Sequence, residues 1–180
     1  MSAANILSQL ISRFQTPSAR VLRCADLLRG LGFKACAMEN LGASERAQPA
    51  SIDLEGVALE EVLDRIKALN PGYLWAVAQG DLINIYPVRS VLDERVAGLQ
   101  VSGKGVWRVL REDLEIEQRG LSIFMESAAG DGPTVDLRLE SADLRAALNQ
   151  IVGQLGDSVW HISGNPGAYT LSFTGVERRS

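Results

Sequence analysis

The amino-acid sequence predicts an α+β fold made of two tandem small modules, each with two helices packed on small β-sheets in the order αββαββ. Three observations carry that expectation: an ungapped internal repeat, helical and strand periodicities that alternate within each copy, and turn residues between them. Leu54, Glu55, Leu59, Leu63 and Ile66 meet Leu139, Glu140, Leu144, Leu148 and Ile151 at a constant offset of 85. The same offset carries Trp75 onto Trp160 and Val77 onto Ile162. Upstream the offset is 88, with Val21-Leu22 on Val109-Leu110 and Gly32 on Gly120. The 180 residues suffice for two such units, each close to the size of about 80 residues below which one core stabilises a domain only marginally.

Residues 1–15 read as an amphipathic helix with Ile6, Leu7, Leu10, Ile11 and Phe14 on one stripe. Such a stripe suits a membrane surface, a partner or the chain's own domain. Its polar face has one arginine and no lysine, which disfavours anionic lipid and leaves self-packing or a homodimer through those five side chains.

The first module spans residues 16–88. Val21, Leu22, Ala25, Leu28 and Leu31 recur at helical spacing, with Thr16 as N-cap, Pro17 at the first helical position and Gly32 as the stop. A strand follows over 33–38, then a polar loop over 41–49 and a second strand around Ile52 and Leu54. Leu59, Val62, Leu63 and Ile66 form the inner face of a second helix that ends at Pro71-Gly72, with Glu61 and Arg65 on its outer face. Strands 73–78 and 82–86 close the module. A three-residue connection, Gln79-Gly80-Asp81, puts Trp75, Val77, Ile83 and Ile85 on one face; a two-residue Gly80-Asp81 turn is the competing register.

Residues 89–101 are read as a connection that includes a possible short strand. The second module, 102–175, repeats the order with helix 106–118, strands 121–125 and 135–139, helix 144–155, and strands 159–162 and 169–173. Its first helix carries Arg111/Glu115 and Glu115/Arg119 at i,i+4 spacing, and 128–133 and 164–167 are turns. Residues 176–180 form a tail.

With 46% apolar and 22% charged residues the chain has a globular composition. A net charge of −4, with the two signs interleaved, lacks the basic stripe of a nucleic-acid binder. No apolar run reaches the roughly 18–20 residues of a membrane span, and the N-terminus shows no secretory signal, an appearance that a removed signal would also leave. Cys24 and Cys36 read as two small buried apolar side chains, with a helix-to-strand disulfide and a reactive thiol as alternatives.

Reactive constellations are sparse. His161, the single histidine, alternates with Trp160 and Ile162 and has no nucleophile or carboxylate at a telling spacing. Ser102-Gly-Lys-Gly105 lacks the spacing of a phosphate loop, and the acidic group Glu112, Asp113, Glu115, Glu117 reads as a solvated helix face instead of a metal site. Trp75, Trp107 and Trp160 read as core before they read as a stacking platform. No catalytic residue, metal ligand or cofactor is expected.

The glycine-bounded first helix, the stretches Ile52-Asp-Leu54-Glu-Gly56 and Leu59-Glu-Glu-Val-Leu63, and the hairpin of Tyr73-Leu-Trp75 and Leu82-Ile-Asn-Ile85 resemble the secretin and TonB N-terminal short domain. The second copy is similar in Gly120-Leu121, Leu137-Arg-Leu139, Leu144-Arg-Ala-Ala-Leu148, Val159-Trp160 and Tyr169-Thr-Leu-Ser-Phe173. The resemblance implies a non-catalytic protein-protein interaction module of the bacterial cell envelope, periplasmic, of the secretion-channel or transmembrane-signalling kind. Neither a secretin pore domain nor a TonB-dependent barrel follows in this sequence.

On that reading the partner adds a strand at a sheet edge, and the final hairpin strands supply the candidate binding residues: Leu82, Asn84, Tyr86, Thr170 and Ser172. The rival expectation is a small-ligand binder or enzyme with a site between the modules, drawing on His161 or Glu126.

Overall fold

In the computed structural model, which describes residues 3–44, 50–79, 81–124 and 130–175, helices and strands mix throughout, the α+β class that the periodicities predict. The chain divides into two units, Met1–Val88 and Arg89–Ser180. Several expected features lie outside the described residues: most of the 41–49 loop, the Gly80 turn position, Met125, Glu126, the start of the 128–133 loop and the 176–180 tail.

Unit one begins with α1 (Ala3–Leu7) and β1 (Leu10–Thr16), followed by α2 (Val21–Gly30), β2 (Ala35–Asn40) and α3 (Leu41–Ser44). β3 (Ile52–Ala58), α4 (Leu59–Leu69), β4 (Tyr73–Ala78) and β5 (Leu82–Pro87) complete it. The helix expected over residues 1–15 is therefore corrected to one short turn and a strand. β1 pairs antiparallel with β3, through Ile11↔Val57, Arg13↔Glu55 and Phe14↔Leu54. Between those pairs Gly56 adopts a left-handed φ of +65°, which distorts the ladder, and Ile11 and Phe14 both turn inward although they stand three residues apart. That distortion counterfeits helical spacing.

The homodimer stripe is corrected with it. Ile6, Ile11 and Phe14 are buried in unit one's own core, Leu7 packs against that core, and Leu10 points out at 78% exposure. The five side chains share no face.

Thr16 ends β1 instead of capping a helix: its Oγ1 donates to Ser18 O (2.7 Å) and accepts from Ser18 N (3.2 Å). α2 starts at Val21 without a side-chain cap. Its other end is as expected, because Gly32 takes φ +91° and the amides of Gly32 and Phe33 return to Arg29 O and Leu28 O, closing the helix in a Schellman turn. α4 buries Leu59, Val62, Leu63 and Ile66, and its inner face joins those of α2, both strands of the β1–β3 pair, β2 and β5 in one hydrophobic core. The β4–β5 ladder pairs Trp75 with Ile85 and Val77 with Ile83, the register of the three-residue connection. β5 also pairs parallel with β2 through Ala35↔Ile83 and Ala37↔Ile85, so the strand order is β4-β5-β2.

Unit two opens on a 3-10 turn, Val91–Asp93, where Ser90 and Asp93 cap each other's backbone. Next come β6 (Arg95–Gly105), the short α5 (Val106–Arg108), a π-helical turn (Val109–Asp113) and a 3-10 turn (Ile116–Arg119). β7 (Leu121–Phe124), β8 (Thr134–Asp143), α6 (Leu144–Gln154), β9 (Val159–Asn165) and β10 (Ala168–Thr174) follow. Of residues 89–101, expected as a connection with a possible short strand, 95–101 are the first part of β6. They belong to unit two, where β6 pairs antiparallel with β8.

The continuous helix over 106–118 is also corrected. Glu115 takes a left-handed φ of +48°, which breaks the run, and Arg119 bonds Glu94 Oε2 (2.7 Å) and Leu114 O (2.9 Å) from a separate 3-10 turn. α6 is close to its expected extent, and Asp143 caps it by accepting from Ala146 N (2.7 Å). β10 lies between β9, its antiparallel neighbour, and β7, its parallel one.

Corresponding contacts recur in the two units at the two offsets. At 85, the pair Leu10↔Ala58 maps onto Arg95↔Asp143, and the bond from Leu59 N to Gln9 O onto that from Leu144 N to Glu94 O. Again at 85, Trp75 Nε1 donates to Asp64 Oδ1 (3.0 Å) and Trp160 Nε1 to Asn149 Oδ1 (2.9 Å). At 88, the parallel pair Ala35↔Ile83 maps onto Ile123↔Leu171.

Candidate functional site

The five sheet-edge candidates do not lie at edges. Leu82, Asn84 and Tyr86 sit on β5, between β4 and β2; Thr170 and Ser172 sit on β10, between β9 and β7. Leu82 and Asn84 are buried, Asn84 Nδ2 donates to Leu82 O (3.2 Å), and Ser172 Oγ donates to His161 O (3.4 Å). A hairpin's last strand is an edge only when nothing returns beside it, and β2 in unit one and β7 in unit two do return. The apolar run Leu82-Ile83-Asn84-Ile85 carried a signal of this, since strands covered on both faces lose their polar alternation.

Within its own unit β4 pairs only with β5 and β7 only with β10, and the β1–β3 and β6–β8 pairs are two-stranded. Those pairs are guarded by charge: Arg13 on β1, Asp53 and Glu55 on β3, Arg95 and Lys104 on β6, Asp136, Arg138 and Glu140 on β8. Charged side chains on an edge oppose the addition of another strand. β4, Tyr73-Leu-Trp-Ala-Val-Ala78, has neither charge nor proline, and β7, Leu121-Ser-Ile-Phe124, is uncharged but only four residues long. Leu74 and Phe124 leave 36% and 56% of their surface exposed on these strands.

The hydrogen-bond phase of β4 follows from its ends. Val88 N donates to Gly72 O (2.7 Å), so the bonded pairs continue at Leu74–Tyr86, Ala76–Asn84 and Ala78–Leu82. Consistently, Ile83 N points the other way, to Lys34 O (2.8 Å), on the β2 side. The N–H and C=O of Trp75 and Val77 therefore face away from β5, while their side chains pack against the unit-one core. Leu74, Ala76 and Ala78 fall on the opposite face.

The reactive groups are engaged elsewhere. The Ser102–Gly105 segment borders an open cleft of about 540 Å³ in unit two, lined also by Arg108, Asp113 and Asp131. Its anion position is already filled: Asp136 Oδ1 accepts from Ser102 Oγ (2.7 Å) and Gly103 N (2.8 Å), bonds that hold its carboxyl below the usual range. Lys104 Nζ lies 2.6 Å from Asp113 and 2.9 Å from Glu112, which raises the ammonium's pKa and, with Arg108, lowers that of Glu112. The network engages Glu112 and Asp113, while Glu112, Glu115 and Glu117 all remain exposed to solvent.

Buried Glu39 receives both Nε (3.2 Å) and Nη2 (3.0 Å) of Arg20. His161 is half-buried on β9. Cys24 and Cys36 are both buried, and burial, reinforced by the Glu39 carboxylate, pushes the Cys24 thiol up to about 12, against the small opposing pull of Arg23. Trp160 is buried, Trp75 packs against the core, and Trp107 lies edge-to-face on Phe173 at 5.7 Å. Among the described residues no cluster of histidine, cysteine or carboxylate side chains fits a metal ion, and no helix is long and apolar enough to cross a membrane. Comparison with protein-family models, curated proteins and solved structures finds no match.

Proposed function

We propose that this chain is a non-catalytic protein-interaction module of the cell-envelope kind, and that it takes up an extended segment of a partner beside β4. One observation carries the reading: β4 is a six-residue edge strand without charge or proline, with the backbone groups of Trp75 and Val77 turned outward. Main-chain bonds to such an edge give affinity, and the alternating side chains give selectivity. The secretin- and TonB-like pattern of the sequence supports the same class of role and an envelope location.

The test is site-specific photocrosslinking in the cells that make the protein. A photoreactive residue at Leu74 is expected to give adducts, whereas one at Glu61, on the exposed side of α4, gives none. Val77→Pro removes an outward amide at a position where an edge strand tolerates proline, and it abolishes the Leu74 adducts while circular dichroism stays native. Adducts that survive Val77→Pro, or that form only at Glu61, overturn the reading.

A further inference from the structure

We propose that the occupant of the β4 edge is β4 of a second copy of this chain, joined antiparallel about a two-fold axis through Ala76. This names the partner on the reading of β4 as a docking edge and rests on that reading.

The phase of the ladder limits the possible registers. Because Trp75 and Val77 carry the outward N–H and C=O groups, a two-fold through Ala76 sets Trp75 of each copy opposite Val77 of the other, and each such pair exchanges two main-chain bonds. Ala76 then meets Ala76 of the second copy as a non-hydrogen-bonded pair, whose Cα atoms approach to about 4.5 Å. Alanine suits the closest approach. An axis through Trp75 would set two indole-bearing residues against each other instead.

Side-chain sizes fit the same register. On the face that carries Ala76, Leu74 opposes Ala78 of the second copy at both ends, large against small. On the core face each Trp75 stands beside a Val77, an aromatic against a β-branched residue, a favourable cross-strand pair. Charge selects β4 from the β1–β3 and β6–β8 edges, and length selects it from the uncharged but four-residue β7. A two-fold brings every near-axis residue to its own copy, so any charge there meets its like. Arg13, Glu55, Arg95 and Arg138 would do so on their strands, and β4 has nothing to repel.

Cysteine trapping and sedimentation of the full chain test the register directly. Ala76→Cys is expected to form a disulfide-linked dimer under mild oxidation, since a non-hydrogen-bonded pair falls inside the Cα range of a disulfide. Ala78→Cys alone does not link, whereas Ala78→Cys mixed with Leu74→Cys does. Cys24 and Cys36, both buried, do not compete. In sedimentation the wild type shows a concentration-dependent monomer–dimer equilibrium up to about 1 mM. Ala76→Lys and Ala76→Glu each weaken it by about tenfold or more, and an equimolar mixture of the two restores it.

A wild type that stays monomeric throughout, or Ala76→Cys linking no better than Ala78→Cys, overturns self-pairing. If Leu74 still yields Val77→Pro-sensitive adducts with a different protein, self-pairing fails and the edge-binding function stands. If those adducts are absent too, both fail.

Discussion

An indole N–H withdrawn from water needs an acceptor, and the two units supply chemically different ones to equivalent tryptophans. Trp160 is fully buried and donates to neutral Asn149; Trp75 is half-exposed and donates to Asp64. Asn149→Leu strands a buried donor and is expected to cost about 1–3 kcal/mol in urea denaturation. Asp64→Leu is expected to cost less than about 1 kcal/mol, since water reaches Trp75. Equal losses would contradict this difference in burial. The core role of both tryptophans was legible from their shared offset, but the acceptors were not, because an aspartate and an asparagine on outer-looking helix positions show no pattern. Cys24 adds a pH signature. Its thiol rises from 9.0 to about 12 in the fold, so its contribution is full below pH 9.0 and is lost progressively as pH rises toward 12, while the unfolded chain ionises first. The wild-type denaturation midpoint should fall over that window, and Cys24→Ala should flatten that part of the decline.

At the scale of elements, the two strand-to-helix junctions differ at one position. Asp143 caps α6, whereas Ala58, its equivalent at offset 85, enters α4 with similar extended angles (φ −69°, ψ 151° against φ −86°, ψ 165°) and no capping side chain. Ala58→Asp should therefore stabilise unit one by about 0.5–1 kcal/mol, and Asp143→Ala should destabilise unit two by about 1 kcal/mol, both read from urea midpoints. A neutral or unfavourable Ala58→Asp would mean that the first-turn acids Glu60 and Glu61 repel the new carboxylate more than the cap gains. α4 and α6 were legible because four or more apolar positions recur on one face and glycine or proline follows soon after. β1 and β6 were not. Gly56 distorts one ladder into helix-like spacing, and the other ladder carries Gly98 at φ +66° and a shift between Val101 and Lys104, so neither strand shows the alternation by which strands are recognised.

For the molecule as a whole, the repeat was readable from side chains that cores require, and the edges were not, because strand order depends on which distant segment returns beside a hairpin. β2 and β7 lie 48 residues before the strands they join, as in Ala35↔Ile83 and Leu121↔Tyr169, and no local pattern announces such parallel pairing. The same separation into units makes a prediction about stability. Leu63 belongs to a core cluster composed of unit-one residues alone, and Leu148, its equivalent, is fully buried on α6 of unit two. Each leucine-to-alanine change opens a cavity and is expected to cost about 2–5 kcal/mol. Substitutions that share no partners add, so the double variant should lose the sum of the two to within about 0.5 kcal/mol in urea denaturation. A double variant that loses less than that sum by more than about 1 kcal/mol would show that the two substitutions are energetically coupled.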